Sequence, residues 1–169
     1  MTLDFDTDTY SCRYDPVDHG DAAAGEPLAP SWRDAADAKD RLETGDRRLY
    51  LRAWRAALPS FIGRPIRSLM IAALDLEKEP VCRSDATTQD LAARFDRMSL
   101  YLPFRAPCLL RAYVLLHYLS FYGRQADWVI GVQLFPFRAH CWLAIDDLLI
   151  AERVHLIEDY APIFRLRRS

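Results

Sequence analysis

The sequence excludes several functions by what it lacks. No apolar run in its 169 residues approaches the roughly 18 to 20 needed to cross a bilayer. The first residues, Met1-Thr2-Leu3-Asp4-Phe5-Asp6, are acidic and lack the basic region and apolar stretch of a signal peptide. A cytoplasmic protein that uses no membrane is therefore expected. Glycine is sparse and forms no Gly-rich phosphate loop, so no cofactor is expected. Four cysteines, Cys12, Cys82, Cys108 and Cys141, form no CxxC pair, and in a reducing compartment they make a poor disulfide framework. A zinc site needs convergent Cys/His ligands, usually with a short ligand pair. Only His140-Cys141 is close in sequence, and neighbours in a strand point to opposite faces, so no metal is expected. The arginines are dispersed and no binding motif accompanies them, which argues against a nucleic-acid module. Internal repeats and low-complexity segments are also missing.

What is present fits a single domain with a real core. Half of the residues are apolar and about a quarter charged, the composition of a soluble globular chain. The net charge of −2 hides a split: residues 1–46 carry 12 acidic and 4 basic side chains, and the remainder is net basic. Such a body could favour an acidic partner, although a solvated surface beside an acidic tail explains the same numbers. Residues 1–46 are thus expected to be an acidic, partly flexible N-terminal segment, and 47–169 the folded domain.

Periodicity orders the domain. Residues 1–30, rich in Asp, Ala, Gly and Pro, read as extended or poorly ordered. A short polar helix is expected from Ser31 to about Glu43. Leu49, Tyr50, Ala53, Trp54, Ala57 and Leu58 recur at helical spacing until Pro59, expected to end the run. A second helix should run from Pro65 to Leu76, and a third, capped by Thr87 or Thr88, should carry Leu91, Ala92, Phe95 and Met98. Pro103 and Pro107 make 99–107 a loop. A fourth helix, apolar nearly all round, should span Cys108 to Tyr122 with Gly123 as its stop. The period then switches to 2: Trp128–Leu134, Ala139–Ile145 and Leu148–Ala151 read as strands, with Asp146-Asp147 in the last turn. The expectation is an α+β fold, with N-terminal helices and a buried helix packed on a small antiparallel sheet.

Two residues suggest chemistry. Cys108 opens the buried helix, where unpaired backbone N–H groups and the helix dipole favour its thiolate. His140, about 30 residues later on a strand, could take and return a proton. The backbone N–H of Cys108 could help hold an oxyanion. Cys-on-helix, His-on-strand and a following carboxylate would form a nucleophilic triad, yet a buried Cys and a packed His are common in cores, and spacing alone favours that plainer account.

A resemblance shifts the balance. Cys108-Leu109, Trp128-Val129-Ile130-Gly131-Val132 and Pro136-Phe137-Arg138-Ala139-His140-Cys141-Trp142 resemble the leader peptidases of lasso-peptide biosynthesis, the B or B2 proteins of the transglutaminase-like and papain-like cysteine peptidase superfamily. The likeness spans about 45 residues, from Cys108 to Glu152, and implies a papain-like/transglutaminase-like fold with Cys108 as nucleophile and His140 as base. The family's third member, usually Asp, falls at Glu152 here, and Asp147 is the fallback. A carboxylate on the Nδ1 side would set the tautomer. With a strict two-residue turn, Cys141 rather than His140 would pair with Glu152, so a three-residue loop or a bulge is expected. The family often has an acidic residue where Ala144 stands, and a small one where Cys141 stands. Cys141 is expected to face away from the catalytic side and to serve packing. Arg111, one turn after Cys108, is expected to be structural, although it could support the thiolate or a substrate carbonyl. His117 is read as a packed residue, Trp128 and Trp142 as core (with a wall of the site as the alternative for Trp142), and Cys12 and Cys82 as incidental. His155, Glu158 and Asp159 receive no role.

The resemblance implies removal of the leader from a ribosomally made lasso precursor peptide. Its partners would be a separate leader-binding protein of the winged-helix type and an ATP-dependent lasso cyclase. The competing expectation is a catalytically weak papain-like scaffold that binds the precursor and maturation partners. Hydrolysis and transfer of the acyl group to an amine share the same thioester and are not separated by sequence.

Overall fold

A computed structural model describes residues 2–4, 9–11, 31–35, 38–39, 41–76 and 80–167. The expectation of extended or poorly ordered chain over 1–30 falls mostly outside these residues, as does Cys12. Strands β1 (Thr2–Asp4) and β2 (Thr9–Ser11) pair antiparallel there.

The helices follow the apolar periodicity. On α1 (Asp46–Phe61) the stripe Tyr50, Ala53, Trp54 and Ala57 is buried. Pro59 lies within the last turn instead of ending the helix. The lost donor costs little there, because Arg55, the residue whose carbonyl it would have met, is exposed. Pro65 sits immediately before α2 (Ile66–Leu74), one position earlier than expected. Thr87 caps α3 (Thr88–Ser99) through a capping box: Asp90 N–H donates to the Thr87 hydroxyl, and Thr87 N–H donates to the Asp90 carboxylate, both at 3.1 Å. The buried helix α4 runs Cys108–Ser120, and Gly123 follows at φ 66, where a left-handed residue closes the helix.

Strands β3 (Asp127–Gln133), β4 (Arg138–Ile145), β5 (Leu148–Ile150) and β6 (Ala161–Leu166) form one antiparallel sheet in the order β5-β4-β3-β6. The α+β expectation holds. Strand β6 and the single turn α5 (Val154–Ile157) were not foreseen. Pro162 and the arginines disguise β6, yet an edge strand tolerates proline, and the register slips beside it, with Gly131 opposite Pro162 but Ile130 opposite Phe164.

The helix expected over 31–43 does not form among the described residues. Ser31–Ala35 is extended, and Arg33 bridges Leu148 in parallel. Its N–H donates to the Asp147 carbonyl, and Leu149 N–H donates to the Arg33 carbonyl, both at 2.9 Å. The open edge of β5 offers backbone partners that outweigh the weak helical preference of an Ala/Asp segment. Further along, Asp46 is buried and accepts hydrogen bonds from the Tyr122 hydroxyl at 2.5 Å and Glu43 N–H at 2.6 Å. Arg94 meets Glu43 at 2.6 Å and lies 3.5 Å from Asp46, so the buried carboxylate is paired.

Two apolar clusters result. The larger fills the space between the helices and one sheet face and includes Phe95, Tyr113, Leu115, Leu116, Tyr118 and Trp128. The smaller lies on the other face: Val129, Trp142, Ala144, Leu149 and Ile157, with Trp32, Val154 and Tyr160 against them. No helix of the described residues is long and apolar enough to cross a membrane.

Candidate active site

Cys108 is the first residue of α4. The first intrahelical bond runs from Arg111 N–H to the Pro107 carbonyl at 2.9 Å, so the N–H groups of Cys108, Leu109 and Leu110 precede the helical ladder. Those donors and the helix dipole favour negative charge on a sulfur held there.

His140 lies near the start of β4, opposite Gly131. The glycine is required, because a Cβ at 131 would come within 2.6 Å of the Trp142 ring and 3.2 Å of the Ala161 carbonyl. Trp142, two residues along the same face, stacks on the imidazole with centroids 6.1 Å apart, and the Tyr160 ring lies 5.5 Å away.

The third corner is reached by an unexpected route. The β4–β5 turn is a strict two-residue one: Ile145 pairs with Leu148, Ala144 with Leu149 and Leu143 with Ile150. The expected loop or bulge at this turn is absent. The irregularity comes later, at Ala151, which takes a left-handed φ of 57. That single residue carries the chain out of register and brings Glu152 Oε2 to 3.1 Å from His140 Nε2. The carboxylate therefore serves Nε2, not Nδ1 as anticipated, which leaves Nδ1 as the nitrogen for Cys108.

Among the described residues, the edge of β4 from His140 to Trp142 has no strand partner on the β5 side, and α4 packs against β4. The Cys108 thiol is pulled down from its ordinary value to about 4, first by a hydrogen bond from the Cys141 thiol, then by one from His140, with the Cys141 backbone N–H adding a third. His140 is pushed up to about 9, chiefly by Cys108 and then by Glu152. Between those values the pair is thiolate and imidazolium. The expectation that Cys141 faces away from the reactive side is corrected. Strand alternation does send His140 and Cys141 to opposite faces, and Cys141 packs in the helical core as expected, yet its thiol is coupled to that of Cys108. Cys141 is buried, and its own thiol is driven strongly upward, first by the hydrogen bond to Cys108 and then by burial. It therefore acts as a neutral donor.

A family model for the transglutaminase-like superfamily matches residues 48–165. The chain belongs to that superfamily. No curated protein and no solved structure matches it significantly.

The transglutaminase-like domain so defined contains Cys108, His140 and Glu152 and extends into β6. It also clarifies the remaining candidates. Asp147 stays in the turn and pairs with Arg33 at 2.7 Å, so it is not the carboxylate at the imidazole. Arg111 makes structural contacts to Asp96, the Ala151 carbonyl and Glu152. His117 is buried with its ring edge-on to Tyr113, and Trp128 stacks on Tyr113 in the main core. Trp142 fills the smaller cluster and also walls the imidazole. Trp32 and Tyr160 were missed by sequence reasoning. Trp32 meets the Trp142 ring edge-on at 5.7 Å, a long-range contact that local pattern does not reveal. Among the described residues no group of three or more His, Cys, Asp or Glu could hold a metal ion.

Proposed function

We propose that this domain is a cysteine peptidase that removes the leader from a ribosomally synthesised lasso precursor peptide. The observation that carries the reading is the 3.1 Å contact of His140 with Glu152, with Cys108 at a helix N-terminus and coupled to the same imidazole. The Cys108 thiolate attacks the scissile carbonyl carbon, and the N–H groups at the start of α4 steady the oxyanion. The proton on His140 Nδ1 passes to the departing amine as the C–N bond breaks, leaving a thioester on Cys108. Water, deprotonated by His140, then resolves the thioester to the leader's carboxylate and the free thiol. Glu152 holds the imidazole and balances its charge throughout.

The surroundings suit a peptide. The loop before Cys108 exposes Leu100, Tyr101 and Phe104, and the turn before His140 exposes Leu134, Phe135 and Phe137. Both segments lead directly into the reactive residues. A cleft of about 450 Å³ beside that loop is lined by apolar Trp54, Leu102, Phe104 and Ala106 and by charged Asp96, Arg105 and Arg111, a size and mixed lining suited to side chains of a bound chain. The partners expected on this reading are a separate winged-helix leader-binding protein, which delivers the precursor, and an ATP-dependent cyclase, which takes the freed amine. The scaffold alternative drew on the longer Glu at 152; its 3.1 Å contact with His140 favours the peptidase reading over it.

The test is incubation with the precursor and leader-binding protein, followed by mass spectrometry of the products. Leader release should occur with the native chain and be abolished in Cys108→Ala and His140→Ala, and Glu152→Gln should retain more activity than either. Leader release by Cys108→Ala at the native rate would refute the mechanism.

A further inference from the structure

The register of β4 and β5, continued past Leu143 and Ile150, would place Glu152 opposite Cys141. Glu152 reaches His140 only because Ala151 is left-handed, a conformation that disfavours a residue with a Cβ by roughly 1 kcal/mol. Something must hold that residue. The Ala151 carbonyl accepts a hydrogen bond from Arg111 Nη2 at 2.8 Å. The same nitrogen donates to Asp96 Oδ1 on α3 at 2.7 Å, and Nη1 lies 3.9 Å from Glu152 Oε2. Arg111 is one helical turn beyond Cys108, so one guanidinium ties the nucleophile's helix, α3 and the chain leaving β5 together.

We propose that Arg111 is a positioning residue: its Nη2, braced on Asp96, locks the left-handed turn at Ala151 and so delivers Glu152 to His140. Lysine cannot take its place, since its side chain is one bond shorter and its ammonium ends short of the point where Nη2 meets both acceptors. The proposal rests on the same Cys108–His140–Glu152 assembly as the function above and names the part that assembles it.

Direct charge and positioning predict opposite signs. The groups facing the imidazole are Cys108 on α4, Glu152, Trp142 and Tyr160, with Arg111 and Asp96 one step behind Glu152. If Arg111 were only a nearby cation, removing it would make the imidazolium easier to form. If it positions Glu152, removing it makes the imidazolium harder to form. The experiment follows the His140 imidazole by NMR titration of the full chain, with His140→Gln assigning the signal. In Arg111→Gln the midpoint should fall by about one pH unit, and Arg111→Lys, which keeps the charge, should show most of the same fall. Glycine adopts the left-handed conformation without the Cβ penalty, so adding Ala151→Gly to Arg111→Gln should restore part of the midpoint. In a Glu152→Gln background, Arg111→Gln should produce no further fall. A rise or no change in both Arg111 variants overturns the proposal, as does an equal fall with Glu152 already replaced. The lysine variant and thermal melts guard against simple misfolding. The outcomes also separate the two readings. A native His140 titrating at its ordinary value sinks the catalytic assembly itself. A native His140 with a raised midpoint that ignores Arg111 sinks only this inference.

Discussion

The two faces of the sheet are built to different depths, and the reactive groups divide between them. The helical face carries a broad core with Phe95, Tyr113, Leu115, Leu116 and Leu119 almost wholly buried, and Cys108 and Cys141 belong to that side. The other face has five buried residues under Trp32, Val154 and Tyr160, and the His140 ring rests there on Trp142 and Tyr160. Cys108 is thus anchored by a thick, locally encoded layer, whereas His140 depends on a thin one assembled from distant segments. They meet where β5 stops short. The difference teaches that stability and reactivity should be separable by choosing the face to disturb.

The largest effect should come from cutting each core. Leu119→Ala on the helical face and Trp142→Ala on the other should each cost about 3–5 kcal/mol in urea unfolding. Only Trp142→Ala should also slow alkylation of Cys108 under conditions where both variants are folded. Equal slowing in both would break the division between faces.

Next comes the meeting point. With the sulfur at about 4 and the imidazole at about 9, thiolate forms as pH rises through 4, and imidazolium is lost only as pH rises through 9. Iodoacetamide should therefore modify Cys108 at pH 5 roughly tenfold to a hundredfold faster than a model cysteine peptide, the gain in thiolate being partly offset by lower intrinsic nucleophilicity. A rate that climbs steadily from pH 6 to 9, like the model peptide's, would show an unprimed thiol.

A smaller effect is expected from Gly131→Ala, which places a methyl against the Trp142 ring. The repacking should cost about 1–3 kcal/mol and disturb His140 along with stability, as read by its NMR titration. Thr87→Ala, which removes the capping box on the helical side, should cost about 1 kcal/mol and leave Cys108 alkylation unchanged. A changed alkylation rate there would mean that α3 is coupled to the site more tightly than the comparison allows.

Much of the fold was legible because its signals are local. Helices α1, α3 and α4 followed apolar stripes, caps and a terminal glycine, and β3 to β5 followed alternation. Strand β6 was hidden because an edge strand with a bulge tolerates the Pro162 and Arg165 that obscure its pattern. Ser31–Ala35 deceived in the other direction: its composition suggested a helix, but the backbone groups it satisfies belong to Asp147 and Leu149, more than a hundred residues away. At the site, Cys108, His140 and Glu152 were all named from sequence, and the structure brings them together. The coupling of Cys141 to Cys108 was not seen, because alternation says which face a side chain takes and nothing about which neighbour packs against that face.

The sequence by itself supplied a cysteine at the mouth of an apolar helix and a histidine on a strand, which are matters of residue type and near-neighbour spacing; the family resemblance added the carboxylate twelve residues beyond the histidine. Tertiary structure alone decided the route by which Glu152 reaches the imidazole, the nitrogen it meets, and the donation of Cys141 to the sulfur. Each depends on one left-handed residue and one short strand, and neither leaves a periodic trace because each acts through contacts between segments far apart in the chain.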